Sequence, residues 1–544
     1  MIRKIVPYLF FTAFLLVHTT VNAQVHIVSG TQVYLHSGAT VIIKGDFTTN
    51  SNITGPGKVI LKGTTVQHCN TNGLSLNNLE IDNAAGVELD TDLLINNQLE
   101  FSNGKIKVND HALILGTTAS STGQGNGKFI ETNGTGYVQK NIGSNLSDFL
   151  LPVGNENAYN PLKITAAGTF SNAFVTVQSK DIAHPSKHIR STDYLKHYWH
   201  INQTGITGTL NANGNYNDVN SITGDESFLR GIFWNGTTWS LTGSNINTTT
   251  NEAGATIAGS GDLYAMNKFI LSKPKMFLQG AYNTATSLMD DKLRNPGSYN
   301  PGSFPSGNLL PVNDPYRNAP FNSSFTHINN PVAESIVNSI LNDQADAAKN
   351  IVDWVFLELR NNDLASPGAN VVQTRAALLR RNGEIVDVDG LSPVYFKNVD
   401  ANNNYTLVVR HRNHLGIATD PVANLQTIDL TGNSETDFTL MNDAQLFGNA
   451  SAFAVNTGKT LLWAGNINAN NNIRYNGPAN DRDYLLSTIL SGNQGTILTD
   501  VYSNGDINMN RVVRYNGPAN DRDYLLATPL TNNQGTIRTE SLPQ

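Results

Sequence analysis

Between residues 25 and about 140 the chain is written in short apolar runs of period two, with no helical segment between them. Val41-Ile42-Ile43, Val59-Ile60-Leu61, Leu79-Glu80-Ile81, Val87-Glu88-Leu89, Ile106-Lys107-Val108 and Leu113-Ile114-Leu115 follow one another across Gly- and Asn-rich spacers. Alternation turns one row of side chains inward and the next outward. Strands this short cannot bury a face alone and must stack. Two solutions are open: a β-solenoid or β-roll in which each coil buries its neighbour's apolar row, and a sandwich of short hairpins. The asparagines suit corners, where left-handed backbone is needed. Cys69, the sole cysteine, reads as a small buried apolar residue, because one thiol forms no internal disulfide and no catalytic constellation.

The pattern lengthens after residue 140. Phe174-Val175-Thr176-Val177 and Tyr194 to Ile201 read as strands, and Phe233 to Trp239 reads as strand, turn, strand. A β-sandwich of about seven strands is expected over 141–272. Trp199, Trp234 and Trp239 belong to its core, or stack on sugar rings if exposed. Prolines 296, 301, 305, 311, 315 and 320 each remove a ladder donor and mark an ordered loop. Val332, Ile336, Val337, Ile340 and Leu341 fall at 3–4 spacing after Pro331, which predicts one short helix. Alternation in Ile351 to Arg360, with Asp353, Val355, Leu357 and Leu359 on one face, opens a second sandwich over 275–455.

Only 15% of residues are charged and the net charge is -7. A nucleic-acid partner needs a basic footprint, and none is present. Arg3 and Lys4, the apolar run Val6 to Val17 and Val21-Asn22-Ala23 fit a secretory signal over 1–23, cleaved near Ala23. No stretch is long enough for a transmembrane span, so a secreted or cell-surface protein is expected.

The C-terminal part carries a repeat. Arg474-Tyr475-Asn476-Gly477-Pro478-Ala479-Asn480-Asp481-Arg482-Asp483-Tyr484-Leu485-Leu486 recurs identically as Arg514 to Leu526, 40 residues on. Before the first copy stand Asn466, Asn468 and Asn470; before the second, Asp506, Asn508 and Asn510. Side-chain oxygens at positions 1, 3 and 5 of a loop are how an EF-hand-type site wraps calcium. Asp481, Asp483, Asp521 and Asp523 each precede an apolar run, where a carboxylate can cap the helix, complement its dipole or close the ion site. This tandem resembles the dockerin family, and more closely the dockerin-like tail of secreted Bacteroidetes surface proteins. The resemblance implies paired loop-helix units that bind calcium and a possible cohesin-like partner. The chain departs from it: Asn471 and Arg511 replace the usual Gly after position 5, and Tyr-Asn-Gly-Pro-Ala-Asn lengthens each loop. Ligand charge favours calcium, so the second loop should bind more strongly than the first.

Phe277 to Asn283, Ile351 to Val355, Leu357 to Arg360 and Val409 to Leu415 resemble a β-rich module that accompanies such tails in hemagglutinin-like or adhesin-like proteins, and this implies no catalytic residues. In Arg410-His411-Arg412-Asn413-His414, an extended chain would point His411 and His414 to opposite faces and leave Arg410, Arg412 and His414 together, paired with Asp353, Glu358 or Asp387. No nucleophile elbow, zinc-protease pair or phosphate loop is present. The expected fold is mainly β and multidomain: signal peptide 1–23, β-solenoid or β-roll 24–140, two β-sandwich domains (141–272 and 275–455), and a small α-helical dockerin-like tail over 456–544. The expected function is non-enzymatic adhesion to extracellular carbohydrate or a surface protein. A polysaccharide-degrading solenoid enzyme and a cell-envelope scaffold docking partners through the tail are the alternatives.

Overall fold

The structure, a computed structural model, describes residues 24–132, 134–216, 221–363, 366–399, 405–421, 435–448 and 451–543. The leader expected over 1–23 lies outside them. Two compact units are present, one ending at Met266 and the other beginning at Asn267.

The first unit resolves the choice between solenoid and hairpins: it is a β-solenoid of about 6 turns. Val25–Ile27, Phe47–Thr49, Gln67–Asn70, Val87–Leu89, Ile106–Lys107, Ile130–Glu131 and Val153–Gly154 form one parallel ladder. The register places Val25 beside Phe47 and Ile106 beside Ile130, so a coil takes between about 19 and 24 residues. A second ladder aligns Val41, Val59, Leu79 and Leu99. A third aligns Ile53, Leu76, Ile95 and Leu115. Beyond the half-buried Val41 these columns are the core, and burying each Leu or Ile stabilises by about 1.5–3 kcal/mol. Cys69 lies in the Phe47 column, and burial pushes its thiol up to about 12. Asn72 and Asn109 take left-handed corners, with φ of 49° and 52°. Polar columns also form: Lys58 bridges Glu80 (2.8 Å) and Glu100 (2.6 Å) on successive coils.

No break occurs at the expected 140/141 boundary. Tyr137–Ile142 pairs in parallel with Ala112–Leu115 and antiparallel with Leu162–Lys180. The sheet thereby continues into long antiparallel strands, Leu162–Lys180 beside Tyr198–Asn215, and on to Glu252–Thr256 and Gly261–Asn267.

The second unit is built on a five-stranded antiparallel sheet in the order Ile385–Val386, Ser366–Arg380, Ile351–Asp363, Tyr405–His411, His414–Ala418. Residues 351–360 are buried without interruption, so the strand expected to bury one face buries both. Phe356 lies under Tyr316 (5.4 Å between rings) and Phe325 (5.3 Å) from the proline-rich loop. Asp353, on the other face, meets Tyr502 of the repeat region. The helix expected from Val332 to Leu341 does not form, and only Asn338–Leu341 makes a 3-10 turn. Asp314 N bonds Glu334 O and Ile336 N bonds Val312 O (2.9 Å each), so extended pairing takes the place of helical hydrogen bonds. Val332 and Val337 consequently face solvent.

The expected 455/456 boundary also lies inside a unit. Ala454–Asn456 pairs with Lys459–Leu462, and Ile473, Leu485, Val513 and Leu525 share one core with Trp354 and Phe356. Among the described residues, no helix is long and apolar enough to cross a membrane.

Candidate functional site

The duplicated segment folds as two loop-helix units woven crosswise. Ile497–Thr499, which follows the first helix, pairs with Val512–Arg514 of the second copy, and Ile537–Thr539 pairs back with Asn472–Arg474 of the first. Ile473 and Val513, the apolar residues of these short strands, are fully buried. Asn471 and Arg511, which replace glycine, still adopt left-handed backbone, with φ of 62° and 77°. Arg511 is held there by Asp500 (2.9 Å) and by the carbonyls of Lys292 (2.8 Å) and Gly307 (2.7 Å).

The helices start at Asp481 and Asp521, and the carboxylates divide their roles. Asp483 and Asp523 brace the helix caps, which are Asn480 and Asn520. Asn480 accepts from Asp483 N (2.8 Å) and gives its amide to Asp483 Oδ2 (2.8 Å), and Asn520 with Asp523 does the same. The capping asparagines were not singled out from sequence, although Asn-Xaa-Xaa-Asp before an apolar run is their signal. Asp481 and Asp521 close the loops from inside. Asp521 takes Ile507 N (2.9 Å) and Arg514 N (3.0 Å), and Asp481 takes Ile467 N (3.1 Å) and Arg474 N (2.9 Å).

At the mouth of each loop Asn468 and Asn470 direct their amides to Ala479 O (2.8 Å each), and Asn508 reaches Ala519 O at 3.1 Å. Their side-chain oxygens cap backbone N–H groups, as when Asn470 N donates to Asn468 (3.2 Å). Asp506, buried, accepts from Asn510 N (2.9 Å) and Arg511 N (2.8 Å). Burial pushes Asp506 up to about 6 and Asp481 up to about 8; Asp521 is likewise held well above the ordinary carboxylate range, by burial and by Asp506 beside it. Asn466, the counterpart of Asp506, carries no charge, and its buried oxygen has no hydrogen bond. The second loop therefore holds two neighbouring buried carboxylates where the first holds one. Hard oxygen donors of this kind suit calcium.

The second loop is seated by the His411–His414 segment. The opposite-face expectation fails because Arg412 and Asn413 form a two-residue turn that sets His411 against His414, with Nδ1 atoms 3.0 Å apart. Gly280 N donates to His414 Nε2 (3.1 Å), so the neutral ring carries its proton on Nδ1. His411 then donates from Nε2 to Asp353 (3.1 Å). Burial holds both imidazoles below their ordinary range. Asp353 also receives Arg412 Nε (3.0 Å) and Tyr502 OH (2.7 Å), while Arg410 pairs with Glu358 (3.0 Å). Asn413 Nδ2 donates to Asp506 O (2.8 Å), and Arg412 reaches Ser503 O. The expected pairing of these cations with Asp353 and Glu358 is found, whereas Asp387 pairs with Arg375 (3.3 Å).

In the first unit Trp199 is core, with Nε1 on Asn160 O (2.8 Å). Trp234 and Trp239 face each other across their hairpin, 5.0 Å between rings, and both are half-buried. His184 (3.0 Å) and His200 (2.6 Å) flank Asp262 nearby. The result is an aromatic shelf with polar groups at its side. A scan against protein-family models finds no match, and searches of curated proteins and of solved structures find none.

Proposed function

We propose that the chain is an exported, non-enzymatic binding protein of the adhesin type, with a C-terminal duplicated module stabilised by calcium. The observation that carries this reading is the Asp506–Asp521 pair: two fully buried carboxylates, side by side, in a loop lined with asparagine. Burying like charges together is costly unless a cation joins them. The first loop, with Asn466, binds more weakly. Recognition of carbohydrate or of a surface protein falls to the first unit, where Trp234 and Trp239 offer half-exposed rings for stacking on a sugar.

Array binding of the full chain to glycans and matrix proteins tests the reading. Binding that disappears in Trp234→Ala/Trp239→Ala supports it. Polysaccharide cleavage by the same chain would replace it with the enzyme alternative. Capture of a cohesin-like partner, abolished by a chelator, would favour the scaffold alternative. That alternative draws on the near-identical surfaces of the two copies, where Arg482 stacks on Tyr475 (5.0 Å) and Arg522 on Tyr515 (4.9 Å).

A further inference from the structure

Away from the repeats, the proline-rich loop of the second unit brings together Asp314, His327 and Glu334. Among the described residues these three offer ligand atoms all within 4.8 Å of one another. Asp314 is 1% exposed and Glu334 4% exposed. Asp314 Oδ2 stands 2.9 Å from His327 Nε2, yet Asp314 Oδ2, His327 Nε2 and Glu334 Oε2 all lack a hydrogen bond. The remaining atoms of these side chains are already engaged and aim them. Asp314 Oδ1 accepts from Tyr316 N (2.9 Å). Glu334 Oε1 accepts from Arg375 Nε (2.7 Å) and Asn330 Nδ2 (2.8 Å). His327 Nδ1 lies 3.3 Å from Thr374 Oγ1 and 3.4 Å from Asn330 Nδ2; in the tautomer that donates from Nδ1 to Thr374, the Nε2 lone pair faces the carboxylates.

The local charge leaves room for a cation. Asp314, Glu334 and Asp387 carry three negative charges, and Arg317 and Arg375 carry two positive ones. Arg317 Nε approaches Asp314 Oδ2 at 3.2 Å without a hydrogen bond, and its terminal nitrogen is tied to Asn330 O (2.6 Å) and Val332 O (2.9 Å). A lone pair of imidazole nitrogen with two carboxylates is the donor set of zinc and its neighbours, and calcium prefers oxygen alone.

We propose that Asp314 Oδ2, His327 Nε2 and Glu334 Oε2 bind a divalent transition-metal ion of the zinc class, which ties residues 314, 327 and 334 of this loop segment together. The site is independent of the calcium loops. Metal analysis of the tag-free full chain after dialysis against limiting zinc tests it. The expected result is one zinc per chain, retained in Asp506→Asn and lost in His327→Ala. Wild-type zinc no higher than that of His327→Ala would overturn the proposal. Should His327→Ala fail to fold, Glu334→Gln preserves shape: zinc is expected to raise the melting temperature of wild type and not of Glu334→Gln. Equal shifts, or displacement of the zinc by calcium, would overturn it.

Discussion

Asp353→Asn removes one charge from a cluster in which Asp353 and Arg412 both have side chains 0% exposed. The variant leaves the guanidinium buried without its counter-ion and weakens the acceptor of Tyr502 and His411. Breaking a buried pair from one side costs about 3–5 kcal/mol. A second route gives a lower bound. Burial works to raise the Asp353 carboxyl, but Arg412, His411 and Tyr502 outweigh it and hold it at about 2, against an ordinary 3.8. That shift amounts to about 2.5 kcal/mol, present above the ordinary value and lost as pH falls through about 2. Linkage counts only proton against carboxylate, so the full substitution should exceed it. For a unit of this size the range corresponds to a fall of about 5–9 °C in melting temperature. Thermal unfolding of the full chain measures it, and limited proteolysis should show early cleavage near Ser503, the loop that Arg412 holds. A loss below about 1 kcal/mol, the value of an exposed ion pair, would refute the reasoning.

The same cluster should be acid-labile. Burial lowers His411 and His414 below their ordinary 6.5, so as pH falls through that value the unfolded chain takes up protons before the native state does. Their contribution to stability should fall as pH drops through that value, by no more than about 2.7 kcal/mol per unit for the pair, and the difference between wild type and His414→Gln in denaturant titrations should show half of it. Asn520→Ala removes the N-cap bond to Asp523 and should cost about 1 kcal/mol in calorimetry, with Asn480→Ala matching it. Leu99→Ala opens the Val59–Leu79–Leu99 column and should cost about 2–5 kcal/mol by denaturant unfolding.

Much of the first unit was legible because a solenoid is a local code. Each apolar run meets the next one coil away, so period two and corner asparagines suffice to suggest it. The junction at 140 was not legible, because Tyr137–Ile142 looks like any strand until its partners on both sides are known. In the second unit the failures share one cause, which is non-local partnership. Val332 to Leu341 has helical spacing, but residues 312–314 offer extended pairing instead. Arg412-Asn413 lacks the glycine of a familiar tight turn, so the meeting of His411 with His414 was hidden. Asp314, His327 and Glu334 stand 13 and 7 residues apart with no motif, and only the folded loop collects them. At the candidate calcium loops the residue types and the repeat were readable. The division of labour was not: Asn480 begins and caps the helix, which leaves Asp483 to brace the cap and Asp481 to close the loop.

Calorimetric titration of the full chain with calcium is the most direct test of the proposed module. The account predicts one tight site that disappears in Asp506→Asn, which copies Asn466 into the second loop, and a calcium-induced gain of about 2.7 kcal/mol at a hundredfold excess over Kd. Because burial raises Asp506 to about 6, its contribution to the stability of the calcium-free chain should be lost as pH rises from about 4 to about 6, and calcium should restore it. Absence of binding heat, or equal titrations for wild type and Asp506→Asn, would contradict the account.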